Sequence, residues 1–309
     1  MIVTVYLPLL AAVVIGRCLR TGTFLPRHSG LQTWTISLGC FSIAILSTWS
    51  LVLLATARID RIAFITERAH LEGGLLRRAD HVPLGVALTA SVLLAARARR
   101  VAASFRRARR ARVAADRFRA KHPGPLIVVA DDEPVAFALA GRRGQLGVVV
   151  VSTALLAGVP IEERRAVLAH ENAHLQLRHH AHRGAVNLAV ALEPFLQPAA
   201  AASARAIERC ADDHASNDAS QRRTAADAIA TFIRLATPST SATLPAAQLL
   251  GGLAYADNDA EHRIDALLEP PPPHRILDTA PMLTAFIATL FATGDATQQL
   301  AHLIHAALR

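Results

Sequence analysis

The five residues His170-Glu171-Asn172-Ala173-His174 combine two imidazoles and a carboxylate at a spacing that suits metal chemistry. A helix turns about 100° per residue, so His170 and His174 lie about 40° apart on one face, one turn apart along the axis. Two imidazoles placed in this way bind one Zn2+ at about 2.0–2.1 Å. Glu171 sits beside that face without being a ligand. It is placed to take a proton from a metal-activated water and pass it to a leaving amine. The reaction implied is metal-assisted hydrolysis of an amide. Apolar neighbours, Ala166 to Ala169 before the motif and Leu175 after it, suit a buried helix.

A catalytic zinc needs a third protein ligand and an open fourth position. The segment Glu208-Arg209-Cys210-Ala211-Asp212 begins 34 residues beyond His174 and supplies a candidate. Glu208 and Asp212 are at i and i+4 and share a helix face, with Glu208 as the third ligand. Asp212 then accepts the N–H of a ligating imidazole. Cys210 is a softer alternative ligand, but it points off that face. His179, His180 and His182 follow the first motif closely and are expected on a solvated or interfacial face, not at a second metal site.

These residues need elements to position them. Pro160 opens the motif's helix at its first position, with Glu162 and Glu163 in the first turn, where acids suit the helix dipole. The helix is expected to run through His174. Before it, LIVVA (126–130), VAFALAG (135–141) and GVVVVS (147–152), with a turn at Arg142-Arg143-Gly144, predict a small sheet containing a hairpin. Further helices are expected near 205–217 and 222–236. The polar segment 237–250 reads as a loop that gates access or is a self-cleavage site, and Pro270 to Pro273 as a stiff linker.

The remainder is membrane-seeking. Hydrophobic residues make up 52% and charged residues 18%, against about 25% charged in soluble domains, and mean hydropathy is +0.31. This excludes disorder and a wholly soluble protein. Apolar segments at 2–16, 32–56, 82–96 and 280–294 are the expected spans; three fall short of the usual ~20 residues, which flanking arginines tolerate by snorkelling. The apolar stretch 184–204 is interrupted by Glu193, Pro194 and Pro198. It reads as a buried or membrane-leaning helix in preference to a fifth span. Residues 97–121 hold ten Arg, Lys121 and a single acid, Asp116, so they account for the whole of the net charge of +9. Positively charged loops stay in the cytoplasm. That places residues 97 to about 279 inside and the N-terminus outside. With 5% aromatics and no recognition motif, the basic run points to an anionic lipid surface and not to nucleic acid. Cys18, Cys40 and Cys210 are too scattered for a disulfide framework or a CxxC site.

The runs VVADDEPVAFALAG, VVVVSTALL, AVLAHENAHL and ERCADDHA together resemble the gluzincin membrane peptidases. They are most similar to the BlaR/MecR type of antibiotic-sensing transducer proteases; HtpX/Ste-type membrane proteases share the same two motifs. The resemblance implies Zn2+ on His170, His174 and Glu208, with Glu171 as general base. It implies substrate binding by strand addition to a hairpin edge strand at about 147–151. Arg263, in Arg263-Ile264-Asp265-Ala266-Leu267, matches an arginine that stabilises an oxyanion or holds the site carboxylates, with a surface arginine as the alternative; His262 beside it is a weaker candidate.

The fold expected is a mainly α membrane protein with a zincin-like α+β metalloprotease domain inserted between transmembrane helices 3 and 4. Residues 1–96 form three spans, 97–279 a cytoplasmic zinc metalloprotease domain, and 280–309 a last span with a short tail. The function expected is a multi-pass plasma-membrane zinc endopeptidase cutting a cytoplasmic protein in regulatory signalling, by resemblance a BlaI-type winged-helix repressor. The penicillin-binding sensor domain of the antibiotic sensors is not expected after the last span. The alternatives are an HtpX-type quality-control protease and a non-catalytic zinc-binding scaffold.

Overall fold

Long runs with no proline in the helix interior form the longest helices of this chain. The structure, a computed structural model, describes residues 2–22, 25–56, 83–141, 147–235, 257–270 and 275–307. The expectations placed on the turn at 142–144, on the loop 237–250 and on Pro271 to Pro273 lie outside these residues. Helices α1 (Ile2–Thr21) and α2 (Ser29–Thr56) are followed by α3 (Leu84–Lys121). Among the described residues, α2 is the one helix long and apolar enough to cross a membrane, with a mean hydropathy of 2.0; Met282–Gly294 is a shorter apolar stretch.

The third apolar segment and the basic run form a single 38-residue helix, α3. At 1.5 Å per residue it is about 57 Å long. Its apolar start packs Ala90 among Leu51, Leu53 and Leu54 of α2. Arg97, the first arginine of the basic run, is not part of the solvated face. It is 7% exposed, donates to Thr48 Oγ1 at 2.9 Å and Ser47 Oγ at 3.1 Å, and is ion-paired with the fully buried Glu193. The arginines from Arg99 to Arg112 are exposed, as the sequence led us to expect.

Strands β1 (Leu126–Val129), β2 (Ala136–Leu139) and β3 (Val148–Ser152) form a sheet in the order β1-β3-β2. β2 pairs antiparallel with β3, Ala136 opposite Val151, which is the expected hairpin; β1 pairs parallel with β3, Leu126 opposite Val149. The expectation that 147–151 is an edge strand is therefore corrected. β3 is central and buried at every position, as a continuous β-branched run requires when both faces are covered. One face of the sheet packs Ile127, Phe137, Leu139 and Val150 against Ala115 and Phe118 of α3. The other packs Ala136, Val149 and Val151 with Val167, Leu168 and Phe232.

Ser152 ends β3 and caps the short helix α4 (Thr153–Gly158), its Oγ accepting from Leu155 N at 3.1 Å. Helix α5 (Ile161–Gln176) carries the HExxH residues on its second half. The chain then turns at Arg178, whose φ of 52° is the one positive value at a non-glycine residue among those described. Helix α6 (His179–Leu192), a 3-10 turn (Pro194–Leu196) and α7 (Pro198–Ala215) follow. They resolve the apolar stretch 184–204 into two helices that double back. Pro194 cannot extend α6, and Glu193 accepts the N–H of Phe195 across the break. Along α6, His182 Nδ1 lies 2.8 Å from Ser37 Oγ of α2, and Glu193 reaches Ser47 one helix-length further along α2. Along α7 the chain returns: Ala199, Ala202 and Ala206 pack with Ile36, Cys40 and Ile43. Ser29 Oγ at the start of α2 then donates to Asp213 at 2.6 Å. Gly16 of α1 touches the break so closely that a Cβ there would lie 2.1 Å from Phe195 O, so only glycine fits.

Helices α8 (Ala219–Leu235), α9 (Asp257–Leu268) and α10 (Ala280–Ala307) complete the described chain. Arg222 of α8 donates to the carbonyls of Ala266, Leu267 and Glu269 at 2.7, 3.0 and 3.3 Å. It therefore satisfies the C-terminal end of α9, where helix carbonyls have no partner of their own. It also pairs with Asp213 at 2.9 Å, which ties α9 to α7.

Candidate metal centre

Three helices bring the predicted residues together. His170 and His174 come from α5, Glu208 and Asp212 from α7, and Arg263 from α9. The i, i+4 spacing on α5 puts His170 Nε2 and His174 Nε2 3.1 Å apart. Glu208 Oε2 lies 3.3 Å from the first and 3.7 Å from the second. A tetrahedral ion bound at 2.0–2.1 Å has ligand–ligand edges of about 3.3 Å. The three donor atoms therefore already form one face of such a tetrahedron. Glu208 Oε2 is buried and has no hydrogen-bond partner among the described residues, as expected of an atom reserved for a metal. These residues are the group that fits a metal ion among those described. Donors of two imidazoles and one carboxylate match the protein ligands of a catalytic zinc.

The other oxygen, Glu208 Oε1, accepts from Arg183 at 2.9 Å, so the carboxylate is held from behind. His170 Nδ1 lies 2.8 Å from Asp212 Oδ1. Asp212 in turn accepts from Arg263 Nε at 2.8 Å and from a second guanidinium nitrogen at 2.7 Å, a bidentate fork. Arg263 is 5% exposed, which sets aside the reading of a surface arginine; it holds the site carboxylates. His262, its neighbour, is exposed. Cys210 lies against Gly30 of α2, on the side of α7 away from the histidines.

The two glutamates are driven in opposite directions. Burial pushes the Glu171 carboxyl above its usual range, and the nearby imidazoles only partly oppose this. Burial also works against the Glu208 carboxylate, but His170 and His174 outweigh it and hold its pKa well below normal. The two carboxyl groups therefore differ in proton affinity, Glu208 favouring the anion and Glu171 the protonated form. Glu171 is 2% exposed, and its Oε1 has no hydrogen-bond partner among the described residues. Asp212 is buried too, yet Arg263 and His170 lower it to about 2. Burial opposes the His170 imidazolium, but Asp212 and Glu208 raise it to about 10.

Two residues at the site, His179 and Arg183, were missed by sequence reasoning. His179, expected on a solvated or interfacial face, is 2% exposed, with its Nδ1 2.8 Å from His174 Nδ1. His182, expected there too, is 8% exposed and bonded to Ser37. His180 is exposed. The physical reason is the left-handed turn at Arg178, which points the new helix back at the old one. Arg183 lies four residues beyond His179, on the same face of α6. That spacing was the available signal for the pair.

The model of peptidase family M48 matches residues 102–291, more than half of the chain. No curated protein and no solved structure matches it.

Proposed function

Since the chain belongs to peptidase family M48, a family of metallopeptidases, we propose that it is a membrane-bound zinc endopeptidase whose metal is held by His170, His174 and Glu208. The observation that carries this is the triangle of donor atoms at 3.1, 3.3 and 3.7 Å. Zinc, if held by these three residues, would supply Lewis-acid polarisation of the scissile carbonyl and lower the pKa of a water molecule. Glu171 accepts the proton of the attacking water and delivers it to the leaving amine nitrogen. Asp212, locked by Arg263, keeps His170 in the orientation the centre needs. An extended substrate pairs with the free edge of β2, the edge strand that packs on α5. The test is peptide-bond cleavage by the full-length protein in micelles. Glu171→Gln should keep zinc and lose turnover by about 10²–10⁴-fold; unchanged turnover would falsify the mechanism, and no turnover by the unaltered protein would leave the scaffold reading.

Membrane attachment is supported by α2 and by large apolar side chains left exposed on three helices: Leu10, Trp34, Leu38, Leu283 and Phe291. Ser29, at the start of α2, bonds to Asp213 beside the metal centre. The charge pattern assigns that end of α2 to the cytoplasm, so the proposed topology has the protease inside. The exposed arginines of α3 then meet anionic headgroups; flotation with phosphatidylglycerol vesicles that weakens at high salt tests this.

For the substrate, the resemblance to the BlaR/MecR type favours a cytoplasmic repressor of the BlaI type, cut in regulatory signalling. A second reading, quality control of membrane proteins in the HtpX manner, is favoured by one observation: the helices bearing His179, Arg183 and Glu208 pack directly on α2. Incubation with a purified winged-helix repressor and with a misfolded membrane protein separates them by which one is cut.

A further inference from the structure

We infer that His179 is a positioning residue of the metal centre: its Nδ1 accepts the Nδ1–H of His174 and so selects the tautomer in which His174 Nε2 faces His170 and Glu208 with its lone pair. This rests on the reading that His170, His174 and Glu208 hold zinc. The two Nδ1 atoms are 2.8 Å apart, and only one of them can carry the hydrogen between them. A neutral imidazole has one N–H. If His179 were the donor, the proton of His174 would sit on Nε2, 3.1 Å from His170 Nε2 and aimed into the donor triangle. That arrangement blocks metal binding. With His174 as the donor, its Nε2 is free to ligate. The proton of His179 then sits on its own Nε2, which is buried without a hydrogen-bond partner among the described residues. His179 thus leaves one polar atom unsatisfied in order to present the other to His174.

The backbone is arranged for this contact. Had α5 continued as a helix, His179 would have lain about 140° around the axis from His174, on the far side. The left-handed turn at Arg178, φ 52°, brings it back onto the imidazole five residues earlier. A non-glycine residue enters that region at an energetic cost, and such strain tends to be kept where it serves a site.

The two ligating histidines are therefore supported differently. His170 is backed by a carboxylate, Asp212, which Arg263 neutralises. His174 is backed by an imidazole that brings no charge. A carboxylate behind a ligating histidine raises its basicity and tightens the metal. His179 fixes the geometry of His174 without adding a second anion, which leaves the bound metal the stronger electrophile.

The experiment measures zinc affinity of the full-length protein in micelles by competition with a chromogenic chelator, together with the thermal midpoint of the metal-free form. His179→Ala removes the acceptor and should weaken zinc binding about 10–100-fold. His179→Asp supplies a carboxylate acceptor to the same N–H and should bind zinc at least as tightly as the unaltered protein. A merely structural histidine predicts the reverse for aspartate, because a buried charge destabilises packing. The inference is overturned if His179→Ala binds zinc within twofold of the unaltered protein, or if His179→Asp is as weak as His179→Ala. Failure of the underlying reading looks different: the unaltered protein would then bind no stoichiometric zinc, or bind it no worse after His170→Ala and Glu208→Ala.

Discussion

Replacing Asp212 by asparagine should damage zinc binding through Arg263 as much as through His170. The asparagine keeps the shape of the side chain and removes its charge. Asp212 and Arg263 are each 5% exposed and joined by two hydrogen bonds of 2.7 and 2.8 Å. Removing one partner of a buried pair costs about 3–5 kcal/mol, because the other charge is left uncompensated. Here relief is at hand: another guanidinium nitrogen of Arg263 already lies 3.6 Å from Glu208 Oε2. The freed guanidinium should move onto that oxygen. The stability loss then falls at the low end, about 3 kcal/mol, while the third ligand is engaged by a competing cation. The loss of zinc affinity should accordingly sit at the upper end of the range for a lost supporting partner, about 100-fold. Arg263→Met alone leaves Asp212 behind His170 and should cost less than about tenfold. The combined Asp212→Asn/Arg263→Met variant removes the competing cation and should regain most of the lost affinity. Chelator competition on the four proteins gives the cycle and its coupling. A double variant no better than Asp212→Asn would refute the capture of Glu208 by Arg263.

Arg97→Met strands the buried carboxylate of Glu193 and should cost about 3–5 kcal/mol, whereas Arg97→Met/Glu193→Leu should recover most of it; detergent-titrated unfolding compares the two. Arg222→Ala removes the donors to the Ala266, Leu267 and Glu269 carbonyls and should destabilise by about 3 kcal/mol, with limited proteolysis beginning near α9. Removing zinc present at about a thousand times its Kd should lower stability by about 4 kcal/mol. The thermal midpoint should return with Zn2+ and not with Mg2+, which prefers six oxygen ligands.

The candidate metal cluster was legible because helix periodicity and zinc chemistry constrain the same few residues. His170 with His174, and Glu208 with Asp212, are each an i, i+4 pair, and a catalytic zinc requires a third ligand. Arg263 was legible only through a resemblance, since nothing local distinguishes a buried arginine from a surface one. The burial of His179 against His174 was not legible, for a related reason. Its burial depends on one backbone angle at Arg178, and arginine carries no signal for a left-handed turn as glycine does. The sheet was legible in its hairpin and misread in its order. The β1–β3 contact is a parallel pairing on the side of β3 away from its hairpin partner β2, which no turn motif announces.

The apolar stretch 184–204 shows how a site constrains topology more tightly than hydropathy does. Hydropathy sees twenty-one residues, long enough to cross a bilayer. A single crossing there would place Glu208 on the opposite side of the membrane from His174. The two could then never share an ion. If both bind one zinc, the chain between residues 174 and 208 must cross an even number of times, or not at all. In the structure α6 runs out along α2 and α7 returns beside it, which brings both ends of this segment to one place. Glu193 marks the reversal, and its partner Arg97 lies 96 residues earlier, at the head of a basic run that composition assigns to solvent. From Glu193 the return helix needs only about 15 Å, from Pro198 to Glu208, to reach the metal centre. An ion pair deep in the apolar bundle thus fixes the origin of the helix that delivers the third ligand. Displacing that pair should therefore shift Glu208 before it disturbs His170 or His174.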